Sequence, residues 1–208
     1  MRSQLLKSAL PLIKDHGFTR QALSLSALSL PQPHKEPLSD SAVSALFGIG
    51  DDARRTLVEA WLDNAREEMV FGVAPNVREI LRARLKCNEP VLGYLPEVFA
   101  LLALPSRGLP PLDLRPALRH SFKIADDACH ASGDSTVGTS WYARRISLAG
   151  VYTATELHQL TSPKTAYNFL DSLLESSSSL KASLDNGFDF ANYVGRSWGG
   201  IIRSSGIL

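Results

Sequence analysis

The 208-residue sequence has little of what several protein classes require. It contains two cysteines, Cys87 and Cys129, too few for a disulfide framework. Its 22 Lys and Arg nearly balance its 21 Asp and Glu, which argues against a nucleic-acid binder that relies on bulk positive charge. No uninterrupted apolar run reaches the roughly 18 residues of a membrane span. The composition predicts a globular protein of a reducing compartment.

Motifs of known catalytic chemistry are also missing. The sequence has no glycine-rich phosphate loop, no G-x-S-x-G elbow and no histidine pair at metal-binding spacing. Asp127 and His130 form half of a carboxylate–histidine motif, whereas a di-iron bundle needs two such motifs and two further carboxylates. We interpret this pair as a surface acid and a helix-end histidine. Glu156 and His158 share a helix but not a face. We therefore predict a protein that is not an enzyme and needs no metal or cofactor.

Apolar residues recur at spacings of three and four, and no sustained alternation typical of strands occurs. This pattern predicts an all-α protein of nine or ten helices. Predicted buried faces include Leu57, Val58, Trp61, Leu62, Ala65 and Met69; Leu118, Phe122, Ala125 and Cys129; and Trp141, Ile146, Leu148, Ala149 and Tyr152.

The segment Val91–Leu104 has Glu97 as its only charge, which predicts a helix that is buried on every side. Such a helix is either the centre of a solid core or part of the wall of a cavity that an apolar ligand fills.

Residues 4–62 have the layout of a TetR-type helix-turn-helix, but two features argue against DNA binding. About nine residues that include Pro31, Pro33 and Pro37 join the second and third helices, where 3–4 residues are typical. The third helix, residues 38–47, lacks Lys, Arg, Asn and Gln, the side chains that contact bases and phosphates. We predict no nucleic-acid partner, with a TetR-type ligand-responsive transcriptional regulator as the alternative function.

The first residues of the sequence lack the apolar stretch and cleavage site of a secretory signal. Their apolar stripe predicts a folded amphipathic helix rather than a transit peptide, and we expect any transit peptide to precede residue 1.

Residues 141–145, WYARR, place two large aromatic side chains beside two arginines, the residue types that are enriched in interface hot spots. Arginine is not favoured at the positive N-terminus of a helix dipole, so a purely local stabilising role explains the pattern poorly. Two interpretations remain open at this point. These side chains are displayed outward for a partner, or Trp141 is a core residue and the arginines pair with Asp126 or Asp127.

The run WYARRISLAGVYTATEL, residues 141–157, resembles the signature of the coenzyme Q (ubiquinone) biosynthesis accessory lipid-binding family. Residues 5–19, 46–52, 102–105 and 163–175 are similar to further parts of that family. The resemblance implies a TetR-like bundle that does not bind DNA and that holds an isoprenoid or other lipid. It also implies a peripheral protein on the matrix side of the mitochondrial inner membrane. Such a protein would present a substrate to the di-iron demethoxyubiquinone hydroxylase.

The resemblance also implies site residues. The partner-docking surface falls on Trp141, Tyr142 and Arg145, with Arg144 and Leu148 as neighbours. Some relatives carry an acidic residue three positions before the tryptophan; this chain has Gly138 there, and Asp134 is the nearest acid. We expect the lipid to be lined by Val98, Leu101, Leu102, Leu148 and Tyr152.

The last two dozen residues predict an amphipathic helix with arginines opposite its apolar face. That face carries Phe190, Tyr193, Val194, Trp198, Ile201 and Ile202. Three glycines, at about 1 kcal/mol each relative to alanine, make this helix weak unless a surface covers it. Its own domain, a second copy in a homodimer, or a membrane surface would serve, and the resemblance selects the membrane.

We therefore expect a helix-turn-helix-like segment that does not bind DNA (1–50), a lipid-binding helical domain (51–184) and a membrane-associating helix (185–208).

Overall fold

The protein is represented by a computed structural model that describes residues 1–71, 76–104 and 113–179, with side chains described up to residue 177. All regular structure in these ranges is helical, which confirms the all-α prediction. The expected membrane-associating helix lies outside the described residues. The predicted total of nine or ten helices and the TetR-like arrangement stay predictions.

The α-helices are α1 (Arg2–Ala9), α2 (Ile13–His16), α3 (Arg20–Leu25), α4 (Asp40–Phe47), α5 (Asp51–Val70), α6 (Val77–Asn88), α7 (Leu95–Ala103), α8 (Arg115–Ala131), α9 (Thr139–Thr161) and α10 (Ala166–Ser179). Short 3-10 segments occur at Leu10–Leu12, Ser26–Ser29, Glu89–Tyr94 and Pro163–Thr165. The described residues form two compact units, one from residues 1–65 and 88–102 and the other from the described parts of 66–87 and 103–179. The expected functional division at residues 50 and 184 stays a prediction.

Side-chain caps fix the helix starts in the first unit. Thr19 Oγ1 accepts a hydrogen bond from Ala22 N at 3.3 Å, and Ser39 Oγ accepts one from Ala42 N at 3.2 Å. Both bonds satisfy amide groups that a helix N-terminus leaves without a partner. The Arg20 guanidinium joins α3 to α4, since its Nη2 lies 2.6 Å from Asp40 Oδ1.

The Val91–Leu104 segment is not one helix buried on every side, so that prediction is wrong. It begins as a 3-10 segment and becomes α7 at Leu95, one residue before Pro96. Proline has no amide hydrogen and is tolerated in a first helical turn, so α7 begins where Pro96 allows it to. Gly93, Pro96 and Glu97 are exposed, whereas Val98, Phe99 and residues 101–103 are buried. The segment therefore buries one face only.

The second unit is built around α8 and α9, which pack antiparallel. Its core comprises Met69, Ile80, Leu81, Leu85, Ile124, Ala125, Ala128, Cys129, Leu148, Val151, Tyr152 and Leu170. Leu118 and Ile146, predicted as buried, are 56% and 61% exposed. Ile146 shares the outer side of α9 with Tyr142, because residues four apart lie on one helix face, and Leu118 shares an outer side of α8 with Phe122.

Candidate functional site

Five side chains on α8 and α9 form what we name the α8–α9 apolar surface: Leu118, Phe122, Trp141, Tyr142 and Ile146. The Trp141 ring lies 6.5 Å from the Phe122 ring and 4.7 Å from the Tyr142 ring, measured between centroids. The Trp141–Tyr142 contact is edge-to-face, an arrangement that aromatic pairs prefer. Tyr142 is 61% exposed, so one ring of the pair faces solvent.

Arg145 points inward, unlike Tyr142, and is only 5% exposed. Its Nε donates a hydrogen bond to Asp126 Oδ1 at 2.6 Å, and its guanidinium carbon lies 3.9 Å from the Trp141 ring centroid. A cation this close to an aromatic face is attracted by the ring quadrupole. Both open interpretations of the WYARR motif are therefore partly correct: Tyr142 is displayed outward, while Arg145 pairs with Asp126. Direct contact between Arg145 and a partner stays a prediction. The position of Arg145 under the ring allows it to hold Trp141 in place.

Asp134 ties the loop before α9 to both arginines. Its Oδ2 accepts hydrogen bonds from Thr136 Oγ1 at 2.8 Å and from Arg145 Nη1 at 3.5 Å, and it lies 3.3 Å from Arg144 Nε. Desolvation alone would raise the pKa of Asp134, but the Thr136 hydrogen bonds and the Arg144 charge together lower it. An ionised Asp134 therefore contacts α9, although this chain has Gly138 at the position where some relatives carry an acid.

A second group of polar side chains lies buried in the second unit, and sequence analysis missed it. Arg84 on α6, His120 on α8, and Tyr152 and Glu156 on α9 form what we name the buried polar cluster. Tyr152 donates a hydrogen bond from its hydroxyl to Glu156 Oε1 at 2.5 Å, and Arg84 Nη2 lies 3.9 Å from the same oxygen. The sequence does carry a signal of this cluster, because an arginine at position 84 shares an apolar helix face with Leu81 and Leu85.

Burial and charge set the protonation states in the buried polar cluster. Burial lowers the pKa of His120 and so favours its neutral form. Burial alone would raise the pKa of Glu156, but interactions with His120, Arg84 and Tyr152 lower it to about 2. Glu156 is therefore an anion near neutral pH, and the positive charge of Arg84 balances it.

Residues 114–181 match the family model described as COQ9. The chain is 29% identical over 188 residues to the Rattus norvegicus protein named "Ubiquinone biosynthesis protein COQ9, mitochondrial", a match that covers 82% of this chain and 56% of that protein. The Drosophila melanogaster protein of the same name is 30% identical over 200 residues, covering 88% of this chain and 57% of that protein. The chain is thus similar to COQ9 proteins over most of its length, and its residues 114–181 match the model of that family. It spans about half the length of the curated COQ9 relatives it matches.

The COQ9 match includes α8 and α9, and therefore the whole α8–α9 apolar surface and three of the four residues of the buried polar cluster. Among the expected lipid-lining residues, Val98, Leu101 and Leu102 are buried in the first unit, and Leu148 and Tyr152 are buried in the second. Their contact with a lipid stays a prediction. Leu148 was also expected beside the docking surface, but it is a core residue.

In the described residues no helix is both long and apolar enough to cross a membrane. The same residues include no group of three or more His, Cys, Asp or Glu side chains placed to hold a metal ion. The Asp127 side chain is instead paired with Arg66, whose Nε lies 2.6 Å from Asp127 Oδ2.

Replacement of Arg145 by Met is expected to lower the free energy of unfolding by about 2 kcal/mol. Removal of one member of a buried ion pair typically costs about 3–5 kcal/mol, and the loss here is smaller because Asp126 is partly exposed. Urea denaturation measures the change. Arg144→Met is the matched control and should lose less than about 1 kcal/mol, because Arg144 is more exposed than Arg145. Equal losses in the two variants would contradict the anchoring role of Arg145.

Glu156→Gln is expected to destabilise the protein by about 3–5 kcal/mol at pH 7, because it leaves the buried Arg84 charge without its anion. The lowered pKa of Glu156 also predicts how wild-type stability depends on pH. Its stabilising contribution is complete above the ordinary glutamate pKa and is lost as the pH falls through about 2. Urea denaturation between pH 5 and pH 2 should therefore show a steeper loss in wild type than in Glu156→Gln.

Glu97→Gln is the matched control for Glu156→Gln, since Glu97 is an exposed glutamate paired with Arg54. It should cost less than about 1 kcal/mol and keep the wild-type acid dependence. If Glu156→Gln behaves in the same way, Glu156 is not the ionised partner of Arg84.

Proposed function

We propose that this chain is a non-enzymatic lipid-binding accessory protein of ubiquinone biosynthesis. It binds isoprenoid quinone precursors at the membrane and presents them to the di-iron demethoxyubiquinone hydroxylase. One observation carries the proposal: an apolar surface that exposes Tyr142, and that the ion pairs of Arg145 anchor, lies within the region that matches the COQ9 family model. The names of the curated relatives, which include "ubiquinone biosynthesis" and "mitochondrial", support both the pathway and a mitochondrial location.

The α8–α9 apolar surface is suited to docking a protein partner. Tyr142 and Ile146 expose apolar area on adjacent turns of α9, and Trp141 is held in place from below by Arg145. Rigid aromatic side chains lose little entropy on binding, which is one reason why Trp and Tyr are common in hot spots. The hydroxylase would therefore meet a surface whose central ring is already ordered.

A lipid carrier has to take up and release its ligand without a large free-energy difference. Burial of an isoprenoid tail contributes about 0.8 kcal/mol per methylene-sized group relative to water. A tail that moves from the bilayer into an equally apolar protein interior changes its free energy little. In this proposal the protein is peripheral, on the matrix side of the inner membrane, where residues 185–208 contact the bilayer.

Organic extraction of the purified protein, followed by mass spectrometry, tests lipid binding. We expect a co-purifying isoprenoid or other lipid at close to one equivalent per chain, absent from a mock purification. Extracts without any isoprenoid or acyl ligand would contradict the proposal. The measurement makes no assumption about which lipid is held.

Tyr142→Ser combined with Ile146→Ser tests docking. Loss of these exposed contacts should weaken binding to the hydroxylase at least tenfold, as measured by co-purification and surface plasmon resonance. The melting temperature should stay nearly unchanged, because surface substitutions typically change stability by less than about 0.5 kcal/mol.

Ile49→Ser is the matched control for the docking variant, since Ile49 is 81% exposed but lies in the loop between α4 and α5. It should leave hydroxylase binding unchanged. Equal binding by wild type and the double variant would show that the partner docks elsewhere.

A further inference from the structure

The buried polar cluster lies among apolar side chains rather than at the protein surface. Tyr152 belongs to the same core as Leu81, Leu148 and Ile124. Its ring lies 6.2 Å from the His120 ring and 5.9 Å from the Arg84 guanidinium carbon, so all three helices α6, α8 and α9 contribute to one place. This packing fixes the His120 ring within an otherwise apolar interior.

His120 has an unusual position within this cluster. Its Nε2 is buried and has no hydrogen-bond partner among the described residues. The nearest acidic oxygen, Oε1 of Glu156, is 3.9 Å away, which is too far for a hydrogen bond. A buried polar atom without a partner is costly, so native proteins usually satisfy such atoms with water or a ligand. The His120 Nε2 atom therefore has a hydrogen-bonding capacity that the described residues do not use.

The charges around His120 restrict the chemical class of a ligand that could supply a hydrogen-bonding atom to its Nε2. Arg84 and Glu156 carry opposite charges, and burial keeps His120 neutral by lowering its pKa. Arg66, the other cation that acts on His120, is paired with Asp127. A bound phosphate or carboxylate would require either protonation of His120, which burial opposes by lowering its pKa, or a net negative charge in an apolar interior, and both carry a desolvation penalty. A neutral oxygen adds no charge.

We propose that His120 is the polar end of the lipid site, where its Nε2 hydrogen-bonds a neutral ring oxygen, a quinone carbonyl or a phenol, of an isoprenoid ligand. This inference rests on the proposed function and names the side chain that recognises the ring of its ligand. It favours a prenylated ring over a phospholipid headgroup or a prenyl diphosphate. The apolar side chains that surround the cluster offer a surface to the attached isoprenoid chain.

Equilibrium binding to the 208-residue chain in detergent tests this inference. The probes are a benzoquinone with a short prenyl tail, an isoprenoid hydrocarbon of the same tail length, and the corresponding prenyl diphosphate. Wild type should bind the quinone more tightly than the other two probes. His120→Leu should bind the quinone about fivefold to tenfold more weakly and the hydrocarbon equally well. His120→Gln, which keeps a polar side chain, should restore part of the quinone affinity.

A readout on the wild-type chain removes dependence on how the variants fold. With ¹⁵N-labelled histidine, the Nε2 resonance of His120, assigned with His120→Gln, should shift on addition of the quinone and not of the hydrocarbon. The resonances of exposed His34 and His130 serve as internal controls and should not move.

The outcomes separate this inference from the proposed function. If wild type and His120→Leu bind the quinone equally, or if the diphosphate binds as tightly as the quinone, the assignment of His120 is overturned while lipid binding stands. If wild type binds neither the quinone nor the hydrocarbon, the proposed lipid-binding function itself fails.

Discussion

Arg145, held between Asp126 and Asp134, is the interaction on which the organisation of the second unit depends. One bond joins α9 to α8, the other joins α9 to the loop that precedes it, and the same guanidinium supports the Trp141 ring. Tyr142 and Ile146, four residues apart, share the exposed side of α9, while Arg145 is buried beside them. The position of the Trp141 ring therefore depends on the contacts that Arg145 makes with these two acids.

The buried polar cluster raises a different question, because a buried ion pair is weak evidence for stability. Well-packed apolar side chains of similar volume often stabilise a protein as much as a buried pair, or more. Arg84 and Glu156 occupy positions where Leu or Met would suit the surrounding core. The proposed role of His120 in ligand binding gives a reason for polar side chains at this point of the core. The charge balance of the pair is then as important as its attraction, since it leaves the interior neutral.

The sequence is sufficient to predict the helical class, because helical periodicity is a local property, and residues 141–157 are distinctive enough to indicate the family. Residues in contact across the fold are harder to predict. Arginine is rarely buried, so the WYARR motif alone does not show that Arg145 points inward. The two acids that hold Arg145 lie 11 and 19 positions earlier in the sequence and come beside it only in the folded chain. Arg84, His120 and Glu156 are far apart in the chain, and only the packing of three helices makes them one cluster. The Val91–Leu104 prediction failed for a local reason. The hydrophobicity of the segment indicates burial but does not show that Pro96 makes the α-helix begin at Leu95.

Helix α9 carries both features, the α8–α9 apolar surface near its N-terminus and two members of the buried polar cluster near its C-terminus. Fourteen residues separate Tyr142 from Glu156, which at a rise of 1.5 Å per residue corresponds to about 21 Å along the helix. Leu118 and Phe122, which belong to the apolar surface, lie two residues to either side of His120 on α8. The surface therefore extends from Tyr142 to the part of α8 that carries His120. In the proposed presentation a neutral ring that leaves His120 leaves no uncompensated charge behind, and the weak hold of a single hydrogen bond favours a carrier that releases its ligand over a receptor that retains it.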